Sequence, residues 1–266
     1  MKLFACMCNQ PQRLWAALAP VRTALVAQPV VSRWGLAYAQ GGDMLLVRTP
    51  KSSSKPVDLA APLAEIHTDC VICQAVTDDR FGGTDNTPPF RFRRWMFSQT
   101  GTPDLDAAAP RLLEHIPEYL RRNLRGRTPG ELVFHVFLAM LHDEGSVDDS
   151  NLPTAATRRA LAATIKLVAA EQAKTGVEGG FGNLVASNGR SMVVARLDHP
   201  LRLRRLWLDD DPNDLRGGAG SGHEFRGVLL ISGGDGDPKD GFEDIPANRA
   251  VMIQRDLSFQ LADLNP

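Results

Sequence analysis

The chain has 266 residues, of which 43% are hydrophobic and 23% are charged, as in ordinary globular proteins. Its 30 Lys and Arg residues balance 31 Asp and Glu residues, so the net charge of −1 argues against nucleic acid or an anionic membrane as a partner. No apolar run approaches the ~20 residues that span a bilayer. The four cysteines, without a signal peptide, predict reduced thiols and a cytoplasmic location.

The first part of the chain predicts short strands and few helices. We expect strands at 2–8, 34–38, 44–47, 70–73 and 94–98, and short helices at 14–26 and 62–66. Gly41-Gly42-Asp43 is a hairpin signal between the second and third of these strands. The Gly-, Asp- and Pro-rich stretch 77–89 predicts a loop.

The middle of the chain predicts two helices. Thr128, Pro129 and Glu131 form a capping-box pattern, with the Thr as N-cap and the Pro at the first helical position. Residues 132–141 are apolar almost all round, which indicates a buried helix that ends near Gly145. A second helix is expected from about Thr154 to Lys174, ended by Gly176. The basic run Arg121–Arg127 is interpreted as a solvated helix end.

The last part of the chain predicts strands again, at 183–187, 191–197, 227–231 and 250–254 and near Phe259. Asp209–Gly222 predicts a mobile surface loop. Asp235–Gly241 predicts a turn rather than a calcium loop, because Pro238 interrupts the pattern of acidic residues. The order of strands, helices and strands indicates one α+β domain over residues 1–266, with two sheets and helices outside them.

Six segments of the chain match, in the same order, short sequence motifs of a known protein family. Leu3–Pro11 has the pattern of its opening strand, and Ser32–Tyr38 is similar to its Asp-Gly-Trp-Gly-Ile-Ala-Phe strand. Asn86–Phe90 matches its Asn-Thr-His-Pro-Phe turn, and Phe97–Gly101 its Phe-Ala-His-Asn-Gly strand end. Arg127–Phe134 matches its Thr-Asp-Ser-Glu helix start, and Gly241–Pro246 its Gly-Trp-Arg-Glu-Val-Pro tail. The chain thus resembles small stand-alone bacterial class II glutamine amidotransferases.

The resemblance implies a fold and a mechanism. The fold is the four-layer αββα sandwich of N-terminal-nucleophile hydrolases. In the mechanism an N-terminal Cys attacks the glutamine amide while its own α-amine moves the proton. An Asn side chain and a Gly N–H form the oxyanion hole, and an Arg holds the substrate carboxylate. No cofactor or metal is implied.

Carried over by position, most of this machinery is replaced. The nucleophile position is Met1, and the oxyanion-hole positions are Thr100 and Gly101, of which only the Gly is retained. Gln74, Ala75 and Val76 follow the strand where the Arg is expected, and the nearest cation is Arg80. The other substituted positions are Ser32, Pro88 and Gln99. Five polar positions lost together argue against ordinary glutaminase chemistry.

Cys6 is the fallback nucleophile, which cleavage after Ala5 would place at an N-terminus. Strand alternation argues against it, because Cys6 and Cys8 lie on the face opposite to Met1, Leu3, Ala5 and Met7. Cys70 and Cys73 are interpreted as core cysteines, since i and i+3 of a strand point to opposite faces. A zinc site with His67 is the weaker alternative. His135 is interpreted as a hydrogen-bonded core histidine.

We therefore expect a class II amidotransferase-like protein that is catalytically degenerate and binds a small amino-acid-like ligand or a protein partner. Trp34, Asn86, Thr87 and Gln99 are the candidate ligand-binding residues, with Arg33, Arg80 or a backbone nest for a carboxylate. The alternative is an active amidotransferase or γ-glutamyl amide hydrolase that uses a processed N-terminus. A homo-oligomer and a purely structural interaction module remain open.

Overall fold

The computed structural model describes residues 1–145, 147–176, 180, 182–208, 224–233 and 241–264. Within these residues the strands are β1 (Lys2–Cys8), β2 (Val26–Ala27), β3 (Arg33–Gln40), β4 (Asp43–Thr49), β5 (Val57–Asp58), β6 (Cys70–Val76), β7 (Phe90–Phe92), β8 (Trp95–Gln99), β9 (Leu184–Ser187), β10 (Met192–Arg196), β11 (Leu201–Leu208), β12 (Phe225–Ser232), β13 (Glu243–Asp244), β14 (Arg249–Ile253) and β15 (Phe259–Asp263). The α-helices are α1 (Leu14–Ala17), α2 (Ala109–Glu114), α3 (Glu118–Arg121), α4 (Pro129–Asp143) and α5 (Thr154–Ala173).

Two antiparallel sheets form the centre of the fold. The seven-stranded sheet has the order β13-β11-β12-β1-β6-β3-β4, and the six-stranded sheet has the order β15-β14-β10-β9-β8-β7. Strand β1 lies in the middle of its sheet, where it pairs with β12 on one side and β6 on the other. The N-terminal residue is thus held at the end of a central strand, between the two sheets.

The side chains of the two sheets divide into three apolar layers. One cluster fills the space between the sheets and includes Leu3, Ala5 and Met7 from β1. A second packs the outer face of the six-stranded sheet against α4 and α5. A third packs the outer face of the seven-stranded sheet, with Phe4 and Cys6, against α1 and the 3₁₀ turns beside it. The helix-sheet-sheet-helix layering confirms the predicted αββα sandwich.

Helix α4 follows the sequence pattern closely. The Thr128 Oγ1 accepts a hydrogen bond from the Glu131 N–H at 3.3 Å, as an N-cap should. The Glu131 carboxylate reaches beyond the N-cap and accepts from the N–H groups of Arg125 and Gly126, at 3.0 and 2.7 Å. Most of the helix is buried, and Gly145 ends it with φ of 70°.

The predicted helix over 14–26 is wrong in kind. Only Leu14–Ala17 is α-helical, and Ala19–Leu25 forms a 3₁₀ helix, because Pro20 has no N–H to continue an α-helix. The sequence reading also missed β7, β11, α2 and α3, all short or rich in arginine. In β11 the alternation of Leu201 and Leu203 with arginines is a strand signal that the charges obscured.

Two predicted loops fall where the structure gives no description. Asp209–Gly222 lies outside the described residues, as does all of Asp235–Gly241 except Gly241. In the described part of the chain, no helix is both long enough and apolar enough to cross a membrane.

Candidate functional site

The side chain of Met1 contacts the N–H of Gly101, the residue that the resemblance implies as an oxyanion-hole position. The Met1 Sδ accepts a hydrogen bond from the Gly101 N–H at 3.1 Å and lies 3.4 Å from the Gln74 Nε2. A thioether sulfur is a weak acceptor and has no proton to lose. Burial also lowers the pKa of the α-amino group of Met1. The Gly101 N–H is therefore already occupied by the residue at the nucleophile position.

A small cavity of about 30 Å³ adjoins this contact. Met1, Arg33, Val76, Gln99 and Gly101 line it, together with the first turn of α4. Such a volume holds about one water molecule. An amino acid cannot enter unless the Met1 side chain moves, and its three rotatable bonds permit that.

Arg33 supplies a guanidinium beside the segment 74–76, where the resemblance implies a substrate-binding Arg. The Cα partner of Arg33 across the β3–β6 pair is Val76. The side chain is 3% exposed, and its Nε and Nη1 donate to the carbonyl oxygens of Asn86 and Asp78, at 2.9 and 2.5 Å. A guanidinium has five N–H groups, so these two bonds leave others for a carboxylate. Arg80 instead pairs with Asp78.

Two glutamines give the cavity polar walls. The Gln74 amide joins the two sheets, because its Nε2 donates to the Gln99 carbonyl at 2.5 Å and its Oε1 accepts from the Ser98 hydroxyl. The Gln99 side chain is 4% exposed, and both of its amide atoms are buried without a partner among the described residues. Unpaired buried amide atoms are uncommon, so the Gln99 amide is a candidate contact for a ligand in this cavity.

Thr100 does not present its hydroxyl to the cavity. Its Oγ1 accepts from the Asn183 N–H at 2.7 Å and lies 3.0 Å from the His199 Nδ1. The residue is 1% exposed. These contacts hold the Thr100 hydroxyl at Asn183 and His199, whereas the next residue, Gly101, donates its N–H to Met1.

The other predicted ligand-binding residues are distributed differently. Asn86 lines the cavity, but its amide also holds loop backbone, since Oδ1 accepts from the Arg127 N–H and Nδ2 donates to the Gly82 carbonyl. Thr87 is fully buried, and its hydroxyl donates to the Gly83 carbonyl. Trp34 packs against the outer face of the seven-stranded sheet. Strand alternation puts Arg33, not Trp34, on the cavity side.

The cysteines occupy positions that do not suit catalysis. Cys6 is fully buried in the outer apolar layer, and burial raises its pKa well above the ordinary value. Cys70 faces the space between the sheets, whereas Cys73 faces the outer layer, so they cannot share a metal ion. In the described residues there is no cluster of three or more potential metal ligands.

His135 is only half satisfied, which corrects its interpretation as a fully hydrogen-bonded core histidine. Its Nδ1 lies 2.9 Å from the Glu131 carbonyl, while its buried Nε2 has no partner in the described part of the chain. Sequence reasoning also missed Gln74 as a link between the sheets, and Asn183 and His199 beside Thr100. Their hydrogen-bond partners are 14 to 99 positions away in the chain, and no local pattern signals them.

The comparisons with known proteins bear on the fold. Neither a protein-family model nor a curated protein sequence matches the chain. Among solved structures, a glutamine aminotransferase class-II domain protein from Silicibacter pomeroyi matches over 100% of both chains, with 17% identity and a TM-score of 0.58. A predicted glutamine amidotransferase from Pseudomonas aeruginosa matches over 96% of this chain and 98% of its own, with 13% identity and a TM-score of 0.54.

A third structure extends the similarity to a longer enzyme. Glutamine phosphoribosylpyrophosphate amidotransferase from B. subtilis matches over 100% of this chain and 49% of its own, with 9% identity and a TM-score of 0.56. At these identities the similarity shows the fold and not the activity. The chain therefore has the fold of the class II glutamine amidotransferases, with Met1 at the end of its central strand.

Proposed function

We propose that this protein is an amidotransferase-like binding protein that has lost glutaminase chemistry. The observation that carries the proposal is the 3.1 Å contact between the Met1 Sδ and the Gly101 N–H. In the family that the chain resembles, residue 1 attacks the amide and the Gly N–H stabilises the oxyanion. Here one side chain removes both functions, because a thioether cannot act as the thiol nucleophile and it covers the donor.

The site retains groups that suit an amino-acid-like ligand. Arg33 offers N–H groups for a carboxylate, and Gln99 offers a buried amide with a free donor and a free acceptor. The cavity of about 30 Å³ is too small for such a ligand as it stands. We infer that the Met1 side chain is a displaceable plug, which a ligand pushes aside to reach Arg33.

Glutamine turnover tests the loss of chemistry. We expect no release of ammonia or glutamate from glutamine or γ-glutamyl amides by the full chain, with an active class II enzyme as the positive control. A turnover abolished by Cys6→Ala would overturn the proposal in favour of the processed enzyme.

A Met1→Cys variant tests whether the loss extends beyond residue 1. It is encoded behind an initiator methionine that is trimmed before small residues, which intact mass confirms. We expect it to stay inactive, because Thr100 stands where the family has its Asn, and Gln74, Ala75 and Val76 stand where its Arg is expected. Restored turnover would show that residue 1 alone had been lost.

Ligand binding tests the plug. Met1→Ala is expected to bind glutamine or glutamate more tightly than the unchanged chain by calorimetry, because the side chain no longer has to be displaced. Equal affinity, or none in either protein, would contradict the proposed ligand.

A further inference from the structure

A second cavity, of about 570 Å³, lies where edge strand β4 of one sheet meets edge strand β7 of the other. Residues of α3 and the first turns of α4 complete its wall. Its volume is in the range of about 300–1,000 Å³ that small-molecule sites occupy. It shares one lining residue, Phe90, with the cavity beside Met1. It is a separate site with its own chemistry.

The lining of this cavity has an excess of positive charge. Four arginines contribute to it, against the two carboxylates of Asp85 and Glu131, which leaves two positive charges in excess. The arginines are Arg48 on β4, Arg91 and Arg93 in and after β7, and Arg125 in the loop before α4. Arginines from three separate segments converging on one concavity favour an anionic ligand.

The four arginines differ in what they already bind. Arg93 pairs with Asp148, and Arg91 donates to the Met44 carbonyl. Arg48 donates from Nη2 to the Pro89 carbonyl at 2.9 Å, but its buried Nε has no partner in the described residues. The Arg125 side chain is exposed at the rim of the cavity. Arg48 and Arg125 are therefore the groups available to an anion.

The remaining lining is aromatic, with one buried acceptor. Phe92 and Tyr119 offer ring surfaces for a planar group, whereas Phe134 lies fully buried behind the wall. His135, 3% exposed, must donate its Nδ1–H to the Glu131 carbonyl, since a carbonyl can only accept. Its Nε2 is then an unprotonated acceptor without a partner, and burial lowers the His135 pKa, which favours this neutral form.

From these three features we infer that the cavity binds an aromatic carboxylate that also carries an O–H or N–H donor. The carboxylate pairs with Arg48 and Arg125, and the ring packs on the aromatic side chains. The O–H or N–H group of the ligand donates a hydrogen bond to the His135 Nε2. A monoanion suits the site better than a phosphate dianion, because Asp85 and Glu131 line the same cavity. The inference does not depend on what happens at Met1.

Calorimetric titration of the full chain tests this with 4-hydroxybenzoate, 4-hydroxyphenylacetate and indole-3-acetate, which place the three groups at different separations. We expect at least one to bind with a Kd below about 1 mM, and its neutral alcohol analogue to bind at least tenfold more weakly. If none of the three binds at 10 mM, or if the neutral analogues bind equally well, the inference is wrong. Tighter binding of phenyl phosphate would overturn the carboxylate class.

Two matched variants locate the binding. Arg125→Gln is expected to weaken binding roughly tenfold, the effect of losing one charge-assisted contact. Arg121→Gln changes an exposed arginine at the end of α3 that does not line the cavity, and it is expected to leave the Kd within about twofold. Equal losses in both variants would show only a general effect of surface charge and would overturn the assignment to this cavity.

Discussion

At the scale of single residues, the thioether of Met1 satisfies a backbone donor at the end of the central strand. The Gly101 N–H would otherwise be partly buried beside an apolar strand, where an unpaired donor costs about 1–3 kcal/mol. Met1 removes that cost with its Sδ while its side chain fills the space. In the proposed function, the same residue that cannot act as a nucleophile therefore also stabilises the strand end.

Met1→Ala should expose this role. We expect the variant to lose about 1–3 kcal/mol of unfolding free energy in urea, because it leaves the Gly101 N–H without its acceptor and enlarges the cavity. Hydrogen exchange of the Gly101 amide should accelerate beyond what the global loss explains. Met1→Cys, which keeps a sulfur, is the control. An unchanged Gly101 exchange rate in Met1→Ala would rule out the contact.

His135 should make stability depend on pH. Burial lowers its pKa from the ordinary 6.5, so below that value the unfolded chain binds a proton that the folded chain resists. Unfolding free energy is therefore expected to fall as pH decreases from about 6.5 towards the folded pKa. His135→Gln should reduce this slope between pH 7 and 5 in urea titrations. The same change at exposed His142 controls for loss of an imidazole, and an unreduced slope in His135→Gln would contradict the prediction.

At the scale of elements, α4 shows how a local pattern and a distant contact combine. The cap pattern at Thr128 predicts where the helix begins, but the Glu131 carboxylate binds Arg125 and Gly126 instead of the N-cap. It therefore fixes the loop that carries Arg125 into the large cavity. Burial raises the pKa of Glu131, because removal from water disfavours the charged form of the carboxyl.

Removal of the cap should destabilise the chain measurably. Thr128→Ala is expected to cost ~0.5–2 kcal/mol, the usual range for losing an N-cap side chain. Thr154→Ala at the first position of α5, which has no side-chain cap, is the matched control and should change little. Urea midpoints at constant m-value provide the measurement. Equal effects of the two changes would contradict the capping role.

The sequence could predict elements whose cause is local. The hairpin at Gly41 and Gly42, which have φ of 61° and 92°, and both long helices follow from turn residues, caps and apolar periodicity. The end of the first α-helix before Pro20 also has a local cause, because proline has no N–H to continue the helix. The site was harder, because Gln74 and Thr100 bind partners from other strands. The alternation of side chains along β3 is enough to choose Arg33 rather than Trp34 as the residue that faces the cavity. The hydrogen bond between Gln74 and Ser98, in contrast, has no local signal in the sequence.

At the scale of the whole molecule, the position of β1 limits how the N-terminus can vary. This strand is paired with β6 from Lys2 to Met7 and with β12 from Leu3 to Cys8. Cleavage after Ala5, which the Cys6 nucleophile requires, would remove more than half of a central strand. The cleavage would remove Phe4 from the outer layer of the seven-stranded sheet, and Leu3 and Ala5 from the layer between the sheets.

A chain that begins at Cys6 should therefore fail to fold. We expect it to lose the cooperative thermal transition in circular dichroism and to aggregate, because Lys2–Ala5 cannot be replaced in the middle of the sheet. A chain that ends at Ser258 is the control, since it loses edge strand β15, which pairs only with β14. A folded, monodisperse chain beginning at Cys6 would reopen the possibility of a processed enzyme.

The amide of Gln74 limits how a ligand can bind in the cavity beside Met1. It fastens the two sheets together at the end where the N-terminus lies, with its Nε2 on the Gln99 carbonyl and its Oε1 on Ser98. A molecule that binds at this end must either displace the Met1 side chain alone or separate the two sheets against the hydrogen bonds of Gln74. A bound molecule would therefore change the spacing of the two sheets, and the Gln74 amide would transmit that change from the cavity to both of them.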